Sequence, residues 1–207
     1  LSDVPGLTVT VTVGAAVAGH TDMWTFGSGA GADSITPVLA LLTGDTDDYL
    51  APAANDTTTM GLVKTHLTNE CVPGISHLEN ATYAINGAYS AAASLANTTL
   101  NDARSTLVWC KYGENSVAWL SAKVAAMRAA MVPQQPNFKW ALTPQCVLVG
   151  AQPQMKKDNP QHAEQKNALN NGLCVLRTEG SDVVIVRGIS IGGVPLPWII
   201  LGVVVYP

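Results

Sequence analysis

Charged residues are scarce in this chain, and their scarcity argues against several functions. Asp, Glu, Lys and Arg make up 13% of the 207 residues, and the net charge is −4. A nucleic-acid-binding surface needs clustered Lys and Arg, so we expect no direct contact with DNA or RNA. A surface with so few charges is tolerable where neighbouring subunits of an assembly cover much of it.

The chain also lacks an apolar run long enough to cross a bilayer. The strongly apolar stretch Trp198–Tyr206 has nine residues, whereas a spanning helix needs about 20. Neither an initiator Met nor a basic leader with a cleavage site marks the start at Leu1. We therefore expect no membrane insertion and a piece of a longer protein.

Cysteine and histidine occur without the spacing that disulfide or metal chemistry requires. The four cysteines, Cys71, Cys110, Cys146 and Cys174, are widely separated and are predicted to be reduced, mostly buried small hydrophobes. The four histidines include no His-x-x-x-His pair that could build a zinc site. His66 falls beside the apolar face of a predicted helix and is interpreted as a half-buried packing residue.

Catalytic motifs are missing as well. No Gly-x-Ser-x-Gly elbow exposes a nucleophile. The acidic run Asp45, Asp47 and Asp48 lacks the EF-hand spacing and is interpreted as a solvated turn. Glu164, Lys166 and Arg177 could form an acid–base cluster, but a solvated helix face next to an interface explains them with fewer assumptions. We expect no catalytic residue, no metal, no cofactor and no enzymatic activity.

Alternating strand and helix patterns predict an α/β fold, with a three-layer core in which helices flank a mixed β-sheet. The first predicted elements are a short helix from Ser34 to Leu42, a strand at 48–52 and a helix at 57–71 capped by Asn55-Asp56. Strands at 82–88 and 105–111 follow, with a helix at 90–101 between them. Asn115 then opens a helix whose apolar residues are Val117, Leu120, Val124, Met127 and Met131, and a possible strand lies at Cys146–Val149.

Residues 159–189 carry the most closely specified local pattern. Asn159 and Pro160 predict a helix start, Asn171-Gly172 its end, and residues 179–182, Glu-Gly-Ser-Asp, a hairpin turn. Both strands of the hairpin are apolar on both faces, so a two-stranded ribbon of this kind cannot stay alone in water. Something else must cover its faces and edges, and the cover could come from another chain.

This stretch resembles the start of the C-terminal core domain of contractile-tail sheath proteins of Mu-like bacteriophages. The resemblance rests on Glu164, Asn167 and Leu169 in the polar helix, on Gly172, on the acidic turn, and on Arg187 in the second strand. The upstream run YAINGAYSAAASLANTTLNDARSTLVWCKYG, residues 83–113, matches the family's strand–helix–strand unit. The order and spacing of the whole set, over roughly residues 45–189, carry the match.

The resemblance implies four regions. Residues 1–33 would be a returning strand and a Gly/Ala-rich link from an upstream inserted domain, and 34–158 the α/β sheath core. Residues 159–189 would be the helix and hairpin that open the interlocking domain. Residues 190–207, an apolar tail, depart from the family pattern.

The resemblance also implies a mechanical function. Such subunits polymerise around an inner tube and contract, which drives the tube through a host cell envelope for genome delivery. The implied partners are other sheath subunits, the inner tail tube protein, and the baseplate and tail terminator proteins. The implied location is the virion tail, assembled in the bacterial host cytoplasm. A tailocin or secretion-system sheath fits the sequence equally well.

Neighbouring sheath subunits are expected to add strands to the hairpin by β-augmentation. The predicted acceptor edges are Leu173–Thr178 and Val183–Ile189. The predicted docking residues are Leu173, Val175, Arg177, Val183, Ile185, Arg187 and Ile189.

A small cytosolic α/β enzyme of unknown substrate is the alternative. Its site would lie at the carboxyl ends of the strands, near Pro52–Asp56 or Lys111–Asn115.

Overall fold

The computed structural model describes residues 34–44, 49–71, 79–131 and 146–191. The described elements are α1 (Thr36–Leu42), β1 (Tyr49–Leu50), α2 (Thr57–Glu70), β2 (Asn80–Asn86), α3 (Tyr89–Ser94), a π-helical continuation (Leu95–Leu100), β3 (Ser105–Cys110), α4 (Val117–Met131), a 3-10 turn (Lys156–Asp158), α5 (His162–Asn170), β4 (Leu173–Glu179) and β5 (Asp182–Arg187). The predictions for 1–33, for the acidic run at 45–48 and for the tail from residue 192 onward lie outside the described residues.

The strands form one mixed sheet in the order β1-β2-β3-β4-β5. Strands β1 to β4 are mutually parallel, and β5 runs antiparallel to β4. The predicted α/β fold with a mixed β-sheet is therefore confirmed. Helices connect the parallel strands, as parallel pairing requires.

Helices pack on both faces of the sheet and give the predicted three layers. On one face, here called the α2 face, residues of α1, α2, α3 and α5 pack against alternate strand residues such as Tyr83, Leu107 and Trp109. On the other, the α4 face, Leu120 and Val124 pack against the intervening strand residues. Most strand residues on either side are buried because both faces of the sheet are covered.

The start of α2 is set by its cap, as predicted. The Asp56 carboxylate accepts hydrogen bonds from the Thr58 and Thr59 backbone N–H groups, both at 2.9 Å. The Thr59 hydroxyl also donates to this carboxylate, and these hydrogen bonds lower the pKa of Asp56. Met60, Val63 and Leu67 are fully buried along one face of the helix.

The predicted start of α5 is wrong by two residues. Gln161, not Asn159, is the N-cap residue, and its backbone N–H donates to the Glu164 carboxylate at 2.9 Å. The backbone of Asn159 is extended, and its side chain forms hydrogen bonds with Thr178 of β4 instead of capping the helix. The predicted helix end is confirmed, since Asn171 is the C-cap and Gly172 adopts a left-handed φ of 71°.

Candidate interaction surface of the hairpin

The hairpin turn has the predicted position. Glu179 pairs with Asp182, Thr178 with Val183 and Arg177 with Val184. Gly180 takes a φ of 64°, which an L side chain seldom adopts. A register shift near Val175 and Leu176 marks a bulge that ends the regular ladder.

The predicted docking residues divide into two kinds. Leu173, Val175, Val183, Ile185 and Ile189 are buried, so their side chains are used by the core of this chain. Only the two arginines reach the surface. Arg187 is exposed, and the partly exposed Arg177 pairs with the Glu179 carboxylate. Any added strand would therefore be held by main-chain hydrogen bonds and not by these apolar side chains.

The side of β4 that faces away from β5 already has partners within the chain. Strand β3 pairs with Leu173, Cys174 and Val175. Further along, the Asn159 side chain takes the place of a strand at Thr178: its Oδ1 accepts from the Thr178 N–H, and its Nδ2 donates to the Thr178 carbonyl, both at 2.8 Å. The prediction that the Leu173–Thr178 edge accepts a foreign strand is therefore wrong at Leu173–Val175 and at Thr178, where the backbone groups already have partners within the chain.

The outer edge of β5 is covered in part. Val147 forms an antiparallel bridge with Val184, and the Leu148 N–H donates to the Val183 carbonyl at 2.8 Å. The predicted strand at Cys146–Val149 is thus reduced to one bridge. Beyond it, Val186–Arg187 has no outer strand partner among the described residues. This end of the Val183–Ile189 edge stays a prediction.

A groove of about 890 Å³ lies beside the hairpin turn and was not predicted. We call it the Lys156 groove, lined by Pro153, Gln154, Met155, Lys156, Lys157, Asn159, Pro160, Gln161, Gln165, Arg177, Thr178, Glu179 and Gly180. Its two walls come from segments that are distant in sequence, 153–165 and 177–180. The adjacent lysines in the Pro-rich connection were the one sequence signal that pointed to it.

The possible acid–base cluster does not come together. Glu164 pairs with Lys111, whose Nζ lies 2.6 Å from Glu164 Oε2, and this contact lowers the pKa of the carboxyl group. Arg177 pairs with Glu179 instead, and Lys166 is exposed. Glu164 and Arg177 therefore belong to separate ion pairs, and Lys166 has no carboxylate partner among the described residues.

Polar side chains near the two proposed enzyme positions are engaged in structural hydrogen bonds. Asn55 accepts from the Ala84 N–H at 2.8 Å and donates to the Pro52 carbonyl. Asn115 and Gln152 exchange two hydrogen bonds, at 2.9 and 2.8 Å. The Asn55 amide ties its loop to β2, and the Asn115 amide ties two loops to each other.

Two buried ionisable side chains were missed by sequence reasoning. His66 is buried, as a packing residue would be, but its Nε2 also lies 3.2 Å from Oε2 of the buried Glu79. Arg128 on α4 is fully buried, and its Nη1 donates to the Thr82 hydroxyl at 2.8 Å. Nothing in the local sequence marks either group, because each partner lies far along the chain.

The prediction that the cysteines are mostly buried is confirmed. Cys110, Cys146 and Cys174 are buried free thiols, and Cys71 is half-buried. Burial raises the pKa of Cys110 to about 11 and that of Cys174 to about 12.

Across 34–44, 49–71, 79–131 and 146–191, no group of three or more His, Cys, Asp or Glu could hold a metal ion. In the same ranges no helix is long and apolar enough to cross a membrane.

No protein-family model matches the chain, and no curated protein matches it in sequence. Among solved structures, a crystal structure of a sheath tail protein from Desulfitobacterium hafniense is similar, with a TM-score of 0.59 and 11% sequence identity. The match covers 80% of this chain and 39% of the other, so this chain spans well under half the length of that protein. The likeness is one of fold, and the chain has a distantly sheath-like α/β fold.

Proposed function

We propose that this chain is part of a structural subunit of a contractile tail sheath and is not an enzyme. The observation that carries the proposal is the fold likeness to a sheath tail protein over 80% of this chain. The motif order described for residues 83–113 and 159–189 supports the same assignment independently. It also supports the finer assignment to a sheath of the Mu-like bacteriophage type.

In this proposal the subunits form a homo-oligomeric helix around an inner tail tube protein. The helix extends from baseplate proteins to a tail terminator protein, and the assembly belongs to the virion tail after forming in the bacterial host cytoplasm. Contraction then drives the tube through the host envelope, and the genome follows. The rigid α/β core moves as one body, while strand exchange between subunits keeps neighbours connected.

The hairpin supplies the physical basis for the connection. Strand β5 is the last strand of the sheet in the described residues, and its Val186–Arg187 end has no outer strand partner there. A strand from a neighbouring subunit could extend the sheet at this end. Arg187 is exposed beside it and could pair with a carboxylate of the incoming chain.

Assembly is the property to test first. The chain would be studied alone and with its native flanking sequence by negative-stain electron microscopy and sedimentation velocity. We expect tubes or rings from the longer protein and small species from the chain alone. A compact monomer in both preparations would contradict the sheath proposal and favour the small-enzyme alternative.

Variants of exposed basic residues sharpen this test. Arg187→Glu should reduce the polymerised fraction of the longer protein, because the reversed charge lies at the proposed strand-docking end. Lys166→Glu is the matched control, since Lys166 is exposed on α5 and not on β5. Equal polymerisation of both variants would remove Arg187 from the interface.

A further inference from the structure

The Lys156 groove gathers positive charge in a chain that is acidic as a whole. The full sequence has 11 basic and 15 acidic residues, yet Lys156, Lys157 and Arg177 all line this one groove. The acidic side chain among its lining residues is Glu179, which is engaged with Arg177. Neither lysine has a carboxylate within 4.0 Å in the part of the chain that the structure describes. The groove therefore presents two uncompensated ammonium groups.

Arg177 adds an unsatisfied donor at the same place. Its Nε is buried and has no hydrogen-bond partner among the described residues, although the side chain is partly exposed. A buried N–H without a partner costs free energy, and an acceptor would recover this cost only if the side chain moved to expose the Nε atom. A carboxylate is the acceptor that matches a guanidinium group best.

The groove is held in shape before any partner arrives. The Gln154 N–H donates to the Thr178 hydroxyl, and Gln154 Nε2 donates to Asn159 Oδ1, both at 3.0 Å. Asn159 in turn holds the Thr178 backbone, so both walls are fixed to each other. A prearranged groove loses little entropy on binding.

An apolar ridge adjoins the groove. Met155, which lines it, is 68% exposed, and Tyr112 is 57% exposed. The Tyr112 N–H donates to the side chain of Gln154, the residue that precedes Met155, at 3.1 Å. Met and Tyr are enriched at protein–protein interfaces. The ridge could take an apolar side chain that lies next to acidic ones.

We propose that the Lys156 groove binds an extended acidic segment of a partner protein. Carboxylates of the segment pair with Lys156, Lys157 and Arg177, and a neighbouring apolar side chain packs on Met155 and Tyr112. The volume is within the range of ligand sites, about 300 to 1,000 Å³, which suits a short stretch of extended chain. This inference does not depend on the sheath proposal, because the groove and its charges lie within one chain.

A direct binding measurement tests the proposal. The probe is a fluorescein-labelled peptide of about eight residues that alternates Leu with Asp, long enough to span about 25 Å when extended. Fluorescence anisotropy with the 207-residue chain should show binding that weakens between about 0.05 and 0.5 M NaCl, because salt screens such ion pairs. A peptide with Asn in place of each Asp should bind about tenfold more weakly or not at all.

Variants locate the binding. Lys156→Glu combined with Lys157→Glu should weaken binding about tenfold or more, since two attractive contacts become repulsive. The matched control combines Lys123→Glu with Lys166→Glu, two lysines outside the groove, and should bind as the parent chain does. Circular dichroism spectra establish that both variants are folded.

Two results would overturn the proposal. One is equal affinity of the groove variant and the control variant for the acidic peptide. The other is an oligothymidylate of equal charge that binds more tightly than the peptide and depends on Lys156 and Lys157, because the groove would then serve nucleic acid. Loss of peptide binding with intact polymerisation of the longer protein would separate this inference from the sheath proposal.

Discussion

The two faces of the sheet bury a cationic or potentially cationic side chain in different ways. On the α2 face, His66 lies 3.2 Å from a buried carboxylate, that of Glu79. On the α4 face, Arg128 has one hydrogen bond, to the Thr82 hydroxyl, and its guanidinium carbon lies 5.4 Å from the centre of the Tyr49 ring. Within the described ranges its Nε and Nη2 have no hydrogen-bond partner.

Burial alone therefore does not determine how much a charged group contributes to stability. Removing one member of a close buried pair leaves the other without that contact and is costly, whereas a buried charge that has no carboxylate partner can be replaced by an apolar side chain at little cost. Burial lowers the pKa of Arg128 to about 10, so the group is still protonated at neutral pH. The α2 face should therefore be sensitive to substitution and the α4 face tolerant at this position.

Packing on the α2 face gives the largest expected effect. A Cβ added at Gly172 would overlap the backbone carbonyl oxygen of Ile191, and the φ of 71° disfavours any L side chain. Gly172→Ala should lower the free energy of unfolding by about 3 kcal/mol or more, measured by urea denaturation. Gly180→Ala is the control, because its φ is also positive but nothing lies within 4 Å of the added Cβ. Equal losses of unfolding free energy in both variants would show that the Ile191 backbone moves aside at little cost.

The buried pair should rank next. Glu79→Ala leaves His66 without its carboxylate and should cost about 3 kcal/mol of unfolding free energy. A double-mutant cycle with His66→Ala isolates the interaction and should give a coupling above about 1 kcal/mol. Additive losses would show that the two side chains contribute only through packing, and the contrast between the faces would disappear.

The cap of α2 should contribute less. Asp56→Ala removes the acceptor of two backbone N–H groups and should cost about 1 kcal/mol. Because the folded-state pKa of Asp56 is lowered, its contribution is present above the unfolded value, near 3.8, and is lost as pH falls through the folded value. The stability difference between parent and variant should therefore shrink below about pH 4. A difference that is constant from pH 7 to about pH 3 would contradict the capping role.

Local sequence signals predicted the helices and strands, whereas contacts between distant residues determined which edges of the hairpin are free. Asp56 followed by Thr57–Thr59 identified the α2 start because an N-cap side chain bonds to backbone N–H groups within the next three residues. Asn159 carried the same signal, but its amide bonds to Thr178, 19 residues along the chain, and that partner could not be inferred from the pattern. The pairing of β3 with β4 likewise closed an edge that the hairpin sequence alone left open.

Arg128→Met has the smallest expected effect and tests the comparison most directly. The apolar side chain keeps most of the volume and removes a buried charge with a single hydrogen bond, so stability should change by less than about 1 kcal/mol or rise. Lys123→Met on the same helix is the control for loss of one positive charge from α4. A loss of about 3 kcal/mol or more would mean that the contacts of Arg128 with Thr82 and the Tyr49 ring stabilise its charge as effectively as a partner would. Both faces would then bury a stabilised charge, and the tolerance inferred for the α4 face would be wrong.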